Sequence, residues 1–156
     1  MNEIKNIIGL LARLAAGGVF VYAGAIKLLA PAEEFAYAIE TYKVTGPALS
    51  LWAASIMPWL ELYSGLLLAA GIFARCNALF CGAMLLFFEA LLAQAWLRGL
   101  PVTSCGCFGS GGSNSLPVEF LQNLVFLVLT YLALRYGRRF SADAAMDAAE
   151  KVAERK

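Results

Sequence analysis

Residues 77–97 read NALFCGAMLLFFEALLAQAWL, and this stretch decides the fold. Glu89 is its single charge, and its length matches the ~20 residues a helix needs to cross hydrocarbon. Polar and apolar residues do not alternate along it, which excludes a barrel strand. In lipid a lone segment must satisfy its own backbone hydrogen bonds, so the stretch is read as a helix. Three more runs of the same kind occur at about 7–30, 47–74 and 117–136. They agree with the bulk composition, 61% hydrophobic and 15% charged, which lies outside the usual soluble balance. The expected architecture is all-α: a four-transmembrane-helix bundle over residues 1–140, then a short helical tail over 141–156.

The first run has a basic start at Lys5, and Ala23-Gly24-Ala25 loosely imitates a signal-peptidase site. Arg13 interrupts it, however, and the apolar residues continue beyond that site, so a spanning helix is expected rather than a cleaved leader. Basic residues set the orientation. With the amino terminus inside, Lys5, Arg13, Arg75, Arg135, Arg138, Arg139, Lys151, Arg155 and Lys156 fall toward the cytoplasm, and only Lys27, Lys43 and Arg98 fall toward the other side. Both termini are therefore expected to be cytoplasmic. The connections between helices one and two and between three and four then face outward, into the periplasm if the membrane is a bacterial inner membrane. A net charge of +1, with no basic stripe beyond residues 135–139, argues against nucleic acid as a partner. The tail is read as lying free or on the membrane surface.

Histidine is absent, which removes the usual general base, the usual haem ligand and most zinc sites. Sulfur and a few charges remain. Cys105 and Cys107 stand in Thr103-Ser104-Cys105-Gly106-Cys107-Phe108-Gly109, inside the second outward connection. Two cysteines separated by one glycine can bridge, because Gly106 tolerates the backbone angles of so small a ring. A strained, exposed bridge is readily reduced, whereas structural bridges usually close longer loops. A redox pair is thus favoured over a plain structural bridge. It is also favoured over a metal site, since two thiolates fill only half of a zinc tetrahedron. Cys76 and Cys81 lie at the opposite end of helix three and are read as small hydrophobes.

The intramembrane charges form a second group. On helix one, Arg13, Gly17, Phe20, Gly24 and Lys27 recur at helical spacing and make one stripe. Helix two has Pro58 and Glu61, helix three Glu89, and helix four Glu119, Gln122, Asn123 and Thr130. Lys27 has two alternatives, to snorkel toward the outer surface or to pair with Glu61. Charged groups inside a membrane are costly and mark function by default, although mutual pairing that locks the bundle competes with that reading. Lys27, Glu61, Glu89, Gln122 and Asn123 are the candidate polar pocket, suited to a proton route or a quinone headgroup. A quinone is the acceptor a thiol-oxidising membrane protein would need; no cofactor is otherwise implied.

The pattern resembles the MauE/DoxX family of redox-associated membrane proteins, and its MauE-like members more closely. The resemblance is carried by Gly24 to Lys27 with Pro31, Phe35, Ile39 and Tyr42, by Pro58, Glu61, Gly65 and Gly71, and by Cys105-Gly106-Cys107-Phe108-Gly109. It implies a four-helix bundle tied to thiol or sulfur redox metabolism. For MauE-like members it implies help in forming disulfides in exported enzymes beside a thioredoxin-like partner. DoxX-like members are linked instead to sulfur-compound oxidation with quinone as acceptor. The expected function is thiol-disulfide exchange by Cys105 and Cys107, supported by Gly106, Phe108 and Gly109. The alternatives are a transporter for a small sulfur compound, which would require homo-oligomers, and a non-enzymatic docking or assembly factor.

Overall fold

The structure, a computed structural model, describes residues 2–100, 116–137 and 141–153. Among these residues it contains helices and no strand. The helices are α1 (Asn2–Leu29), α2 (Ala32–Thr41), α3 (Pro47–Ala70), α4 (Ala74–Leu97), α5 (Leu116–Tyr136) and α6 (Ala142–Ala153). Four of them, α1, α3, α4 and α5, are long and apolar enough to cross a membrane. The chain is a four-span all-α membrane protein.

Helix ends follow local chemistry. α3 stops at Ala70, short of the expected 74, because Gly71 adopts the left-handed conformation at φ 75°. There the Gly71 N–H donates to Leu68 O and the Ile72 N–H to Leu67 O, which satisfies carbonyls that the helix end leaves open. α4 ends in the same way. Gly99 has φ 60°, its N–H donates to Trp96 O, and the Leu100 N–H donates to Ala95 O.

α1 packs chiefly on α3 and α5, while α4 closes the ring against α5 and α3. The buried side chains are small or compact: Ala16, Phe20, Leu68, Ala78, Cys81, Met84 and Leu85 form the main core. Large apolar residues such as Leu66, Leu86 and Val125 face outward. Lipid is as apolar as leucine, so burial of large side chains drives little here and close backbone approach takes its place. Gly17 of α1 and Gly65 of α3 provide it: a Cβ on either would stand 2.8 Å from the other's carbonyl oxygen. One crossing higher, a Cβ on Gly24 would stand 2.7 Å from Pro58 O. α3 runs through Pro58 as one helix.

Both described termini lie at one end of the bundle. Gly9 packs on the backbone of Tyr136, and the Arg13 guanidinium donates to Gly137 O at 2.8 Å. The tail, read from sequence as lying free or on the membrane surface, begins docked on the bundle. The Asp143 carboxylate accepts from the backbone N–H of Phe73 and of Ala74, each at 2.8 Å, and the Asp143 N–H donates to Gly71 O. Asp143 thereby caps α4, whose preceding residue Phe73 has φ 48°.

α2 is the element the hydrophobic runs did not announce. It lies on the loop end of α3, where Phe35, Ala36 and Ala54 form a small core joined by Ile39 and Met57.

Candidate functional site

The residues that spacing places on one stripe of α1 are buried, with Arg13 at 3% exposure, Phe20 at 5% and Lys27 at 4%. Lys27 does not snorkel. Its ammonium donates to both oxygens of Glu61, at 2.6 and 2.8 Å, and the two side chains are almost fully enclosed. Glu61 lies about 15 Å along the α3 axis from Gly71 and about 21 Å from Pro47, at 1.5 Å rise per residue. The pair is therefore deep within the span. Two aromatic rings complete its surroundings: the Phe35 centroid stands 4.7 Å from the Lys27 nitrogen and the Phe88 centroid 5.7 Å. Both offer their electron-rich faces to the cation.

A second polar pair joins α4 and α5. Asn123 donates from Nδ2 to Glu89 Oε2 at 2.6 Å and to Leu85 O at 3.1 Å. The other carboxyl oxygen of Glu89, Oε1, is buried without a hydrogen-bond partner. Phe88 precedes Glu89 directly, so α4 contributes to both pairs from adjacent residues. No hydrogen bond among the described residues links the two pairs, and Gln122, half-buried on α5, bonds to neither. The five predicted residues are thus two pairs and a bystander. Glu119 is buried one turn above Asn123, and the Thr130 hydroxyl donates to Phe126 O.

Cys105, Gly106, Cys107, Phe108 and Gly109 lie outside the described residues. The ends of their connection are inside. Leu100 and Leu116 both pack against a buried cluster of Tyr42, Leu92 and Ala95, with Leu91 and Phe120 beside them. Trp96 and Phe120 meet edge to face at 6.0 Å, bridging α4 and α5 at the same level. The Leu100 contact follows from the α4 terminus: the N–H that closes the turn onto Ala95 also lays the Leu100 side chain back on that residue. Cys81 is in the core at 0% exposure, and Cys76 is exposed in the first turn of α4.

Comparison with known proteins gives the family. The family model for "Methylamine utilisation protein MauE" matches residues 5–136, which takes in all four spans and the connection carrying the cysteines. The chain belongs to the MauE family. A "Methylamine utilization protein MauE" from Paracoccus denitrificans is 36% identical to it over 112 residues. That match covers 72% of this chain and 59% of the relative, so the chain spans about three fifths of the relative's length. No solved structure matches significantly.

Phe35 and Tyr42 carry the family resemblance but drew no role at the site from pattern reading, and Phe88 and Asp143 drew none either. Phe35, Ile39 and Tyr42 recur at intervals of four and three, which is the helical signal for α2. Phe88 has no comparable signal, because an aromatic residue in an apolar run looks like any other lipid-facing or core position.

Proposed function

We propose that this MauE-family protein exchanges thiols and disulfides through Cys105 and Cys107 at the loop end of the bundle. The observation that carries the reading is the joint anchoring of Leu100 and Leu116 on one apolar cluster, so that the connection holding Cys-Gly-Cys starts and finishes at a single fixed base. A thiolate of an exported thioredoxin-like or sulfur-metabolism partner attacks one sulfur of the Cys105–Cys107 disulfide. The S–S bond breaks as a mixed disulfide forms. The partner's second thiolate then displaces the loop sulfur, the partner leaves as a disulfide, and Cys105 and Cys107 hold two electrons and two protons. The same steps in reverse would oxidise the loop. The basic-residue asymmetry supports a loop facing the periplasm of a bacterial inner membrane, with both termini in the cytoplasm.

A quinone fits the second polar pair in one respect: Glu89 Oε1 is a buried polar atom that still needs a partner, and Asn123 fixes the same carboxyl group. Glu89 and Asn123 would hold its headgroup, and the group would supply a two-electron acceptor dissolved in the membrane. Purified protein that neither binds nor reduces a short-chain quinone would remove this part of the proposal. The transporter alternative has less behind it, since Lys27 and Glu61 spend their charges on each other.

The test is thiol trapping of Cys105 and Cys107 in native membranes across a graded thiol-disulfide buffer. The expected result is a reversible two-electron transition in the oxidoreductase range, roughly −120 to −270 mV. A pair that stays reduced or silent across that range, together with full biological activity of a Cys105→Ser/Cys107→Ser variant, would leave docking as the function instead.

A further inference from the structure

We infer that the α4–α5 seam takes the reduced form of a membrane-dissolved ring, a hydroquinone, in preference to the quinone; the inference rests on the quinone part of the reading above and names the form that site is built for. The reason is the supply of hydrogen-bond donors. Asn123 has two hydrogens on Nδ2 and both are in use, one on Glu89 Oε2 at 2.6 Å and one on Leu85 O at 3.1 Å. The amide cannot be turned round, because a backbone carbonyl only accepts and so must face the nitrogen. What the pair still offers is therefore acceptors alone, Asn123 Oδ1 and Glu89 Oε1, and the second is buried without a hydrogen-bond partner. The Lys27 ammonium is no substitute donor, since both oxygens of Glu61 hold it.

A quinone carbonyl is itself an acceptor, and it would set one more oxygen against the Glu89 carboxylate. A hydroquinone hydroxyl is a donor and satisfies Oε1. A buried acceptor left unmatched is costly, and a hydrogen bond to a charged group is among the stronger kinds, so the two forms differ in affinity through this one atom. The pair is also within reach of the bilayer. Glu89 is half-buried, and Leu86, three residues before it and so beside it on the helix, is exposed, as is Leu124 next to Asn123. The seam is less tightly closed than the α1–α3 crossing. A Cβ on Gly82, two turns before Glu89, would meet nothing nearer than Thr130 Cγ2 at 3.7 Å, an ordinary contact. A tenfold preference for the reduced form raises the midpoint potential of the bound couple by about 30 mV over that in the bilayer. The seam thereby favours electron flow onto the ring it holds.

The experiment titrates the full chain in lipid nanodiscs with a short-chain benzoquinone and with the same molecule reduced to its hydroquinone. It is run without oxygen and with accessible thiols alkylated, so that no electrons pass during binding, and empty nanodiscs correct for partition into lipid. The hydroquinone is expected to bind at least tenfold more tightly, the margin that one hydrogen bond to a charged group supplies. Glu89→Gln keeps the shape of the side chain but lets it present an N–H, and it should erase the preference or reverse it. Both forms are measured on one sample, so a variant that folds less well lowers both and leaves their ratio unchanged. Leu129→Ala, beside the main core, should leave the ratio at its wild-type value. Equal binding of the two forms, tighter binding of the quinone, or a preference that survives Glu89→Gln overturns the inference and leaves the quinone reading standing. If neither form binds beyond the empty nanodiscs, the quinone reading itself fails and the inference falls with it.

Discussion

Lys27 and Glu61 decide most at the scale of single residues, because each is tolerable in the span only while the other is present. Removing one partner leaves a charge enclosed in a site at 1% or 3% side-chain exposure. Such an uncompensated charge costs about 3–5 kcal/mol, whereas replacing both partners by apolar side chains of similar volume is often close to neutral. Lys27→Met and Glu61→Leu should each lower the unfolding midpoint in mild detergent sharply, and the double variant should recover most of the loss. A double variant as unstable as the sum of the singles would mean that the two charges act independently. The pair was legible from sequence because a charge in an apolar run stands out and the helical periodicity put Lys27 on the buried stripe. Its aromatic surroundings were not, since Phe35 and Phe88 carry no mark that separates a cation-facing ring from a lipid-facing one. Gln122 differs: polarity in a span drew attention to it, and it stands half-buried on α5 with no hydrogen bond to either pair among the described residues.

Among the elements, the α1–α3 crossing depends on having no side chain at Gly17 and Gly65. A Cβ on Gly17 would lie 2.8 Å from Gly65 O and 2.9 Å from the Ala69 backbone nitrogen, neither of which can move aside as a flexible side chain would. Gly17→Ala should therefore cost about 1–3 kcal/mol, the range for overpacking. Gly18, next in sequence, has nothing within 4 Å of such an atom, so Gly18→Ala should be neutral or slightly stabilising. Thermal unfolding of the two variants side by side checks the contrast, and equal effects would show that the crossing is not backbone-close. The cap on α4 makes a separate prediction: Asp143→Ala removes the acceptor of two backbone N–H groups and should cost about 0.5–2 kcal/mol, with Asp143→Asn recovering part of it. The four spans were legible because length and hydropathy suffice for them. The docking of α2 and of the start of the tail was not, because both depend on partners far away in sequence: Ala54 and Met57 for α2, and the N–H groups of Phe73 and Ala74 for Asp143.

Over the whole molecule, the two ends of the bundle differ in construction. The terminal end is tied by Arg13 to Gly137 and by Asp143 to the 71–74 turn, so three helix ends and the tail share one set of polar contacts. The loop end carries an apolar cluster at Tyr42, Leu92 and Ala95, with α2 laid across α3. Most basic residues gather at the first end, and this asymmetry predicts which end meets the cytoplasm. The native cysteines report on it without added labels. Cys76 is exposed in the first turn of α4 at the terminal end, Cys81 is fully buried, and Cys105 and Cys107 belong to the connection at the other end. In intact spheroplasts, after mild reduction, a membrane-impermeant maleimide should modify Cys105 and Cys107 and spare Cys76; permeabilisation should then expose Cys76 while Cys81 stays unmodified until the bundle unfolds. The reverse order would put the loop in the cytoplasm, where glutathione and thioredoxin keep thiols reduced. A readily reduced Cys-Gly-Cys bridge would not persist there, so that single result would withdraw the exported partner and the disulfide exchange together, while leaving the four-span bundle and its buried ion pair unchanged.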